Sequence, residues 1–146
     1  MDSLLDEIPS DACVLVYYQP FEKGRLKELA VQFPRKAKQI NAILSNVRDL
    51  LVPFKGRALY SWEQQGSHSI KDVLPAFVKD MSYEGLEVGD GGEAIEAYQK
   101  MCTVADNPQE LANTRKALLE YCCQDTLAMV RLLEVIGKNA VRPGPT

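Results

Sequence analysis

Tyr121 and Asp125 stand four residues apart in the segment Glu120-Tyr121-Cys122-Cys123-Gln124-Asp125-Thr126. In a helix that spacing puts both side chains on one face. A carboxylate can hold a divalent cation, and a phenol one turn away can orient an attacking water. The pair therefore suits metal-assisted hydrolysis of a phosphodiester. The same spacing also describes a core tyrosine beside a surface aspartate, and on spacing alone that is the commoner situation. A second acid, Glu22, follows the run Val16-Tyr17-Tyr18-Gln19-Pro20-Phe21. In α/β sheets ligands bind beyond the carboxyl ends of strands, so Glu22 stands where a second metal ligand is expected. An acid favoured by the dipole at a helix N-terminus accounts for it equally well. His68, the one histidine, could serve as a proton shuttle. Its polar loop favours local hydrogen bonding. Trp62, Tyr60, Tyr17 and Tyr18 could stack on bases, although their places in apolar runs point to core packing.

The elements that must position these residues can be read from periodicity. Residues 3–8 suit a short helix ended by Pro9. Ala12–Tyr18 is a continuous apolar run that suits a buried strand of a parallel sheet, ended by Gln19-Pro20. Leu26, Leu29, Ala30 and Phe33 recur at helical spacing from Glu22 to Phe33, and Pro34 breaks that helix. Ala37, Ile40, Leu44, Val47 and Leu51 continue the period from Arg35 to Leu51, with Pro53 as the stop. Ala58–Trp62 reads as a second strand. Ser69 is the expected N-cap of a short helix through Val78. Gly89-Asp90-Gly91-Gly92 reads as a turn, and Glu93–Cys102 as a helix. Asp106-Asn107-Pro108 starts a long helix that runs to Ile136, with Gly137 at C′ and Lys138 suited to the dipole. Residues 138–146 read as a disordered tail.

The 146 residues suit one domain, with 46% hydrophobic and 25% charged residues, as in ordinary globular proteins. No apolar run approaches the roughly 18 residues of a membrane span. The acidic start, Met1-Asp2-Ser3-Leu4-Leu5-Asp6-Glu7, is unlike a signal peptide. A cytoplasmic protein without a membrane partner is expected. Cys13, Cys102, Cys122 and Cys123 form no C-x-x-C pair, so buried reduced thiols are expected rather than a zinc site. The net charge of −3 is uneven: Phe21–Arg57 holds nine Lys and Arg against Glu22, Glu28 and Asp49, a net charge near +6. Such a stretch suits contact with a phosphate backbone. A solvated helix face would look the same.

Four ordered segments carry a resemblance. They are Tyr17-Tyr18-Gln19-Pro20-Phe21-Glu22-Lys23-Gly24-Arg25-Leu26, Arg48-Asp49-Leu50, Gly66-Ser67-His68-Ser69-Ile70-Lys71-Asp72-Val73-Leu74-Pro75, and Tyr121-Cys122-Cys123-Gln124-Asp125-Thr126. Over about residues 12–136 the chain resembles the bacterial family known as domain of unknown function 2779, within the ribonuclease-H-like exonucleases. The resemblance implies an α/β fold of that type, mostly helical, with a small remnant sheet near 12–18 and 58–62. It implies a 3′–5′ exonuclease that hydrolyses single-stranded DNA or RNA with two ions, Mg2+ or Mn2+, held by four carboxylates. Glu22 would be the third ligand, where the wider class usually has Asp. Asp125 would be the fourth, with Tyr121 positioning the water, as in the tyrosine subclass. Asp49 would be a structural or supporting acid.

The chain departs from that pattern in one respect. No strand bearing Asp-x-Glu precedes Ala12, and Asp6-Glu7 are adjacent on an expected helix. Residues 1–137 are therefore expected to be the C-terminal part of such a domain, inactive alone. Glu22, Tyr121 and Asp125 are expected to converge at the end of the first strand. That strand is apolar on both faces, and self-association through its open edge is expected. The other expectation is a non-catalytic nucleic-acid-binding or assembly module that uses the basic helices at 22–57.

Overall fold

The computed structural model describes residues 1–9, 11–103 and 107–140. It divides into two compact units, Met1–Tyr60 and Ser61–Thr146. The architecture is mostly helical with one small parallel sheet, an α/β arrangement.

The first unit begins with helix α1 (Asp2–Glu7), whose Asp2 pairs with Lys36 at 2.7 Å. Strand β1 (Val14–Val16) follows, then α2 (Gln19–Gln32), a one-turn 3-10 helix at Pro34–Lys36, α3 (Ala37–Ser45), β2 (Val47–Asp49) and α4 (Val52–Lys55). β1 and β2 run parallel, with Val14 opposite Val47, Leu15 opposite Arg48 and Val16 opposite Asp49. Parallel neighbours need a long crossover, and here α2 and α3 supply it. Ile40 and Ile43 of α3 are buried with Val16, Val47, Leu50, Leu51 and Phe54. Each such side chain removed from water stabilises by about 1.5–3 kcal/mol.

Two sequence expectations fail in this unit. Ala58–Trp62 is not a strand: the Leu59 N–H donates to the Pro53 carbonyl at 3.1 Å, and a 3-10 helix occupies Trp62–Gln64. The second strand is Val47–Asp49, at the end of the run read as one helix from Arg35 to Leu51. Asn46 leaves the helix at φ −102°, ψ 6°. The chain then gains ladder bonds to β1 that a helical continuation could not make. Asp49 therefore ends a strand rather than a helix, and Pro53 sits in the first turn of α4, where its missing N–H costs nothing.

The second unit opens on the Trp62–Gln64 turn, with Ser61 and Gln64 in a reciprocal capping box. The Gln64 amide is buried and bonded at both ends, to Ser61 N–H at 2.8 Å and to the Ser67 carbonyl at 3.1 Å. Helix α5 (Ile70–Phe77) has Ser69 as its N-cap, as read from sequence, and buries Val73, Leu74 and Ala76. Helix α6 (Gly91–Thr103) takes in the last two glycines of the expected turn. Asp90 Oδ1 accepts the Glu93 N–H at 2.9 Å, which caps the helix. The long helix α7 (Pro108–Ala140) starts with Asn107 Oδ1 accepting from Gln109 and Glu110; Asp106 lies outside the described residues. α7 continues through Gly137 to Ala140, so Gly137 is not its C′ residue and residues 138–140 are helical. Nothing lies within 4 Å of where a Gly137 Cβ would be, so no packing demand enforces a stop there. Residues 141–146 lie outside the described ones.

The four cysteines are free and exposed, which corrects their expected burial. Tyr121, Gln124 and Asp125 are the shielded positions around Cys122 and Cys123, which face water on the other side of α7.

Candidate functional site

The first unit brings its chemistry to the carboxyl ends of the two parallel strands. β1 ends at Val16, and α2 starts three residues later with Tyr18 as N-cap and Pro20 in the first turn. A tyrosine side chain is a poor cap, and Tyr18 makes no capping bond of its own. Asp49, at the end of β2, supplies the cap from 31 residues away. Its Oδ1 accepts the Tyr18 N–H at 3.0 Å, and its Oδ2 accepts the Gln19 N–H at 2.8 Å. The same Oδ1 accepts the Leu51 N–H at 3.0 Å. Tyr18 takes a left-handed backbone, φ 75°, ψ 68°, a conformation uncommon outside glycine. Asp49 holds that bend on both sides. Glu22 sits in the first turn of the helix so anchored and is half-buried.

The second unit brings Tyr121 and Asp125 together on one face of α7. Both meet Tyr83, a buried residue of the segment between α5 and α6. The Tyr83 hydroxyl donates to Asp125 Oδ1 at 2.8 Å. The Tyr83 and Tyr121 rings lie 6.3 Å apart at 50°, within the range of favourable tilted aromatic pairs. Gln124 donates from Nε2 to the Ser82 carbonyl at 2.9 Å. The Tyr121 hydroxyl lies 3.8 Å from where a Gly91 Cβ would be, at the start of α6. A cleft of about 660 Å³ adjoins this cluster, lined in part by Tyr83, Ser82, Lys71 and Lys79. Lys71 pairs with Asp90 at 3.3 Å and Lys79 with Glu63. The Asp90 carboxyl is held below the usual 3.8, first by the Glu93 backbone N–H and then by Lys71.

Glu22 belongs to the first unit, Tyr121 and Asp125 to the second. Tyr83 and Ser82 escape a reading of the sequence because no local period links them to α7. Asp49 is legible as an acid, but its capping role depends on strand pairing. His68 is exposed between Ser67, whose Oγ donates to Asp72 at 2.6 Å, and the N-cap Ser69. Tyr18, Tyr60 and Trp62 are exposed rather than packed in a core, because neither Tyr18 nor the 58–62 segment lies in a strand. Tyr17 does pack, with its ring 6.5 Å from that of Phe54.

As metal ligands, Glu22 and Asp125 offer hard carboxylate oxygens of the kind Mg2+ and Mn2+ prefer. A carboxylate has about four acceptor sites, and the Tyr83 hydroxyl takes one of those on Asp125. Among the described residues no group of three or more His, Cys, Asp or Glu gathers to hold a metal ion. None of the described helices is long and apolar enough to cross a membrane.

Residues 1–69 match the family model described as Domain of unknown function (DUF2779). The matched stretch holds Glu22 and Asp49 and stops short of Tyr121 and Asp125. It supports the family part of the resemblance seen in the motifs. Over 144 residues the chain is 30% identical to the uncharacterized protein MG366 homolog of Mycoplasma pneumoniae, covering 90% of the chain and 22% of that protein. It is 28% identical over 154 residues to the uncharacterized protein MG366 of Mycoplasma genitalium, covering 95% of the chain and 23% of that protein. The chain thus spans less than a quarter of the length of these relatives. No solved structure matches it.

Proposed function

We propose that this chain carries ligands of a metal-dependent nuclease site of ribonuclease-H-like type. In this reading Asp125 is a ligand of a divalent cation, Tyr121 orients the water that attacks a phosphodiester of DNA or RNA, and Glu22 is the candidate ligand of the first unit. The observation that carries it is the Tyr83–Asp125–Tyr121 cluster: a carboxylate and a phenol one helical turn apart, both fixed by one buried tyrosine. Support comes also from Glu22, one turn into a helix that starts at the carboxyl end of a parallel strand. A bound cation would supply Lewis-acid polarisation and a more acidic water. The chain's own residues would position it and, at Tyr121, orient the attacking water.

Calorimetric titration of the chain with Mn2+ tests this. Saturable binding should weaken at least about fivefold in Asp125→Asn, which removes a charged ligand, and Glu22→Gln tests the ligand of the first unit separately. Binding that neither substitution alters would end the proposal.

A second reading is a non-catalytic nucleic-acid-binding module. It is favoured by the basic stretch on α2 to α4, where Lys27, Arg35, Lys38, Arg48, Lys55 and Arg57 are all exposed. Oligonucleotide binding that falls steeply with salt, without any Mn2+ site, would select it.

A further inference from the structure

We propose that Phe21 and Tyr60, each backed by an arginine, are stacking platforms for the bases of a single-stranded nucleic acid. This rests on the nucleic-acid partner common to both readings above and names how that partner is held.

Single exposed apolar residues are ordinary on protein surfaces. These two differ in what accompanies them. Phe21 is 49% exposed in the first turn of α2, and the Arg25 guanidinium carbon stands 5.5 Å from its ring centre. Arg25 is held there by Glu28, at 2.6 Å. Tyr60 is 50% exposed, with the Arg57 guanidinium carbon 5.9 Å from its ring centre. Arg57 also has a left-handed backbone, φ 56°, and its N–H donates to the Phe54 carbonyl at 3.1 Å. A ring with a guanidinium against it presents a π-face beside a planar donor group, and at Tyr60 the guanidinium of Arg57 adds a positive charge. Base stacking and phosphate attraction need that combination. Of the nine Lys and Arg in Phe21–Arg57, Arg25 and Lys36 are ion-paired among the described residues, and the other seven are not. The charge therefore faces outward and complements a polyanion.

The occupant is a single strand rather than a duplex, because a duplex hides its base faces in the stack while a single strand offers them. An acidic peptide would answer the charge but not the rings. Phe21 directly precedes Glu22, so a base stacked on it would bring its own phosphates beside the acid expected to act.

Fluorescence anisotropy on the full chain in EDTA tests this. The probes are a labelled oligo-dT of about twelve nucleotides and an abasic strand of equal length and charge. The dT strand should bind about tenfold more tightly than the abasic one. Phe21→Leu with Tyr60→Leu should bring dT down to the abasic level without changing the salt dependence. Arg25→Lys, which keeps the charge and loses the plane, should narrow the gap in a chain that keeps its fold. Equal affinity of the wild-type chain for the two strands would overturn the stacking platforms and leave the nucleic-acid partner standing. A polyglutamate peptide of matched charge binding as tightly as dT would overturn the platforms as well, since it offers charge without bases. Failure to bind either strand would remove the nucleic-acid partner itself, and the platforms with it. The Mn2+ titration reads the hydrolytic site independently of all three results.

Discussion

Tyr83 donates its hydroxyl proton to Asp125 across 2.8 Å, although the two residues are 42 positions apart. The bond fixes the orientation of a carboxylate that α7 alone would leave free to rotate. Tyr83→Phe keeps the buried ring and its contact with Tyr121 while deleting the donor. Loss of a hydrogen bond to a charged group should lower the unfolding free energy by about 1–2 kcal/mol. Urea denaturation with an unchanged m-value measures it. A midpoint equal to wild type would show that Asp125 finds an equivalent partner in water.

Asp49 joins the two strand ends to α2 through three backbone N–H groups. Asp49→Ala leaves all three without that acceptor, and a loss of about 2–3 kcal/mol is expected. Asp49→Asn keeps one acceptor oxygen and should fall between. Guanidinium unfolding of the three proteins gives the order. Should Asn cost as much as Ala, the charge would be what matters rather than the count of acceptors.

Acid should loosen the cap of α6. The Asp90 carboxyl sits below its usual 3.8 because the Glu93 N–H and then Lys71 favour its ionised form. A folded value depressed in this way gives stability that is full above the unfolded value and lost as pH falls through the folded one. The gap in unfolding midpoint between wild type and Asp90→Asn should therefore be widest near neutrality and close below about pH 4. Asp2, lowered first by its hydrogen bond to Lys36, titrates in the same window. It does so in both proteins and cancels in the comparison. A gap that stays constant down to about pH 3 would deny Asp90 any part in acid sensitivity.

Helices with local signals are legible from residue order alone. Ser69, Asn107 and Pro108 mark helix starts through caps that act within three residues. The Tyr121–Asp125 spacing is likewise local. Three features stay hidden at that level, each for a physical reason. A three-residue strand has too few positions to show a period, so Val47–Asp49 merges with the apolar spacing of α3. Ala58–Trp62 has a strand's composition but no partner to pair with among the described residues. The Tyr83–Asp125 and Asp49–Tyr18 bonds exist only once distant segments have met, and no spacing announces them.

The sole tryptophan, Trp62, is 78% exposed on its capped turn. Its indole is already in water when the chain is folded, so intrinsic emission will shift little on denaturation. An unfolding curve recorded that way would be nearly flat even for a cooperative transition, and circular dichroism is the sounder probe. The same exposure makes Trp62 a ready-made optical sensor: any molecule that settles over it will change its brightness without a label.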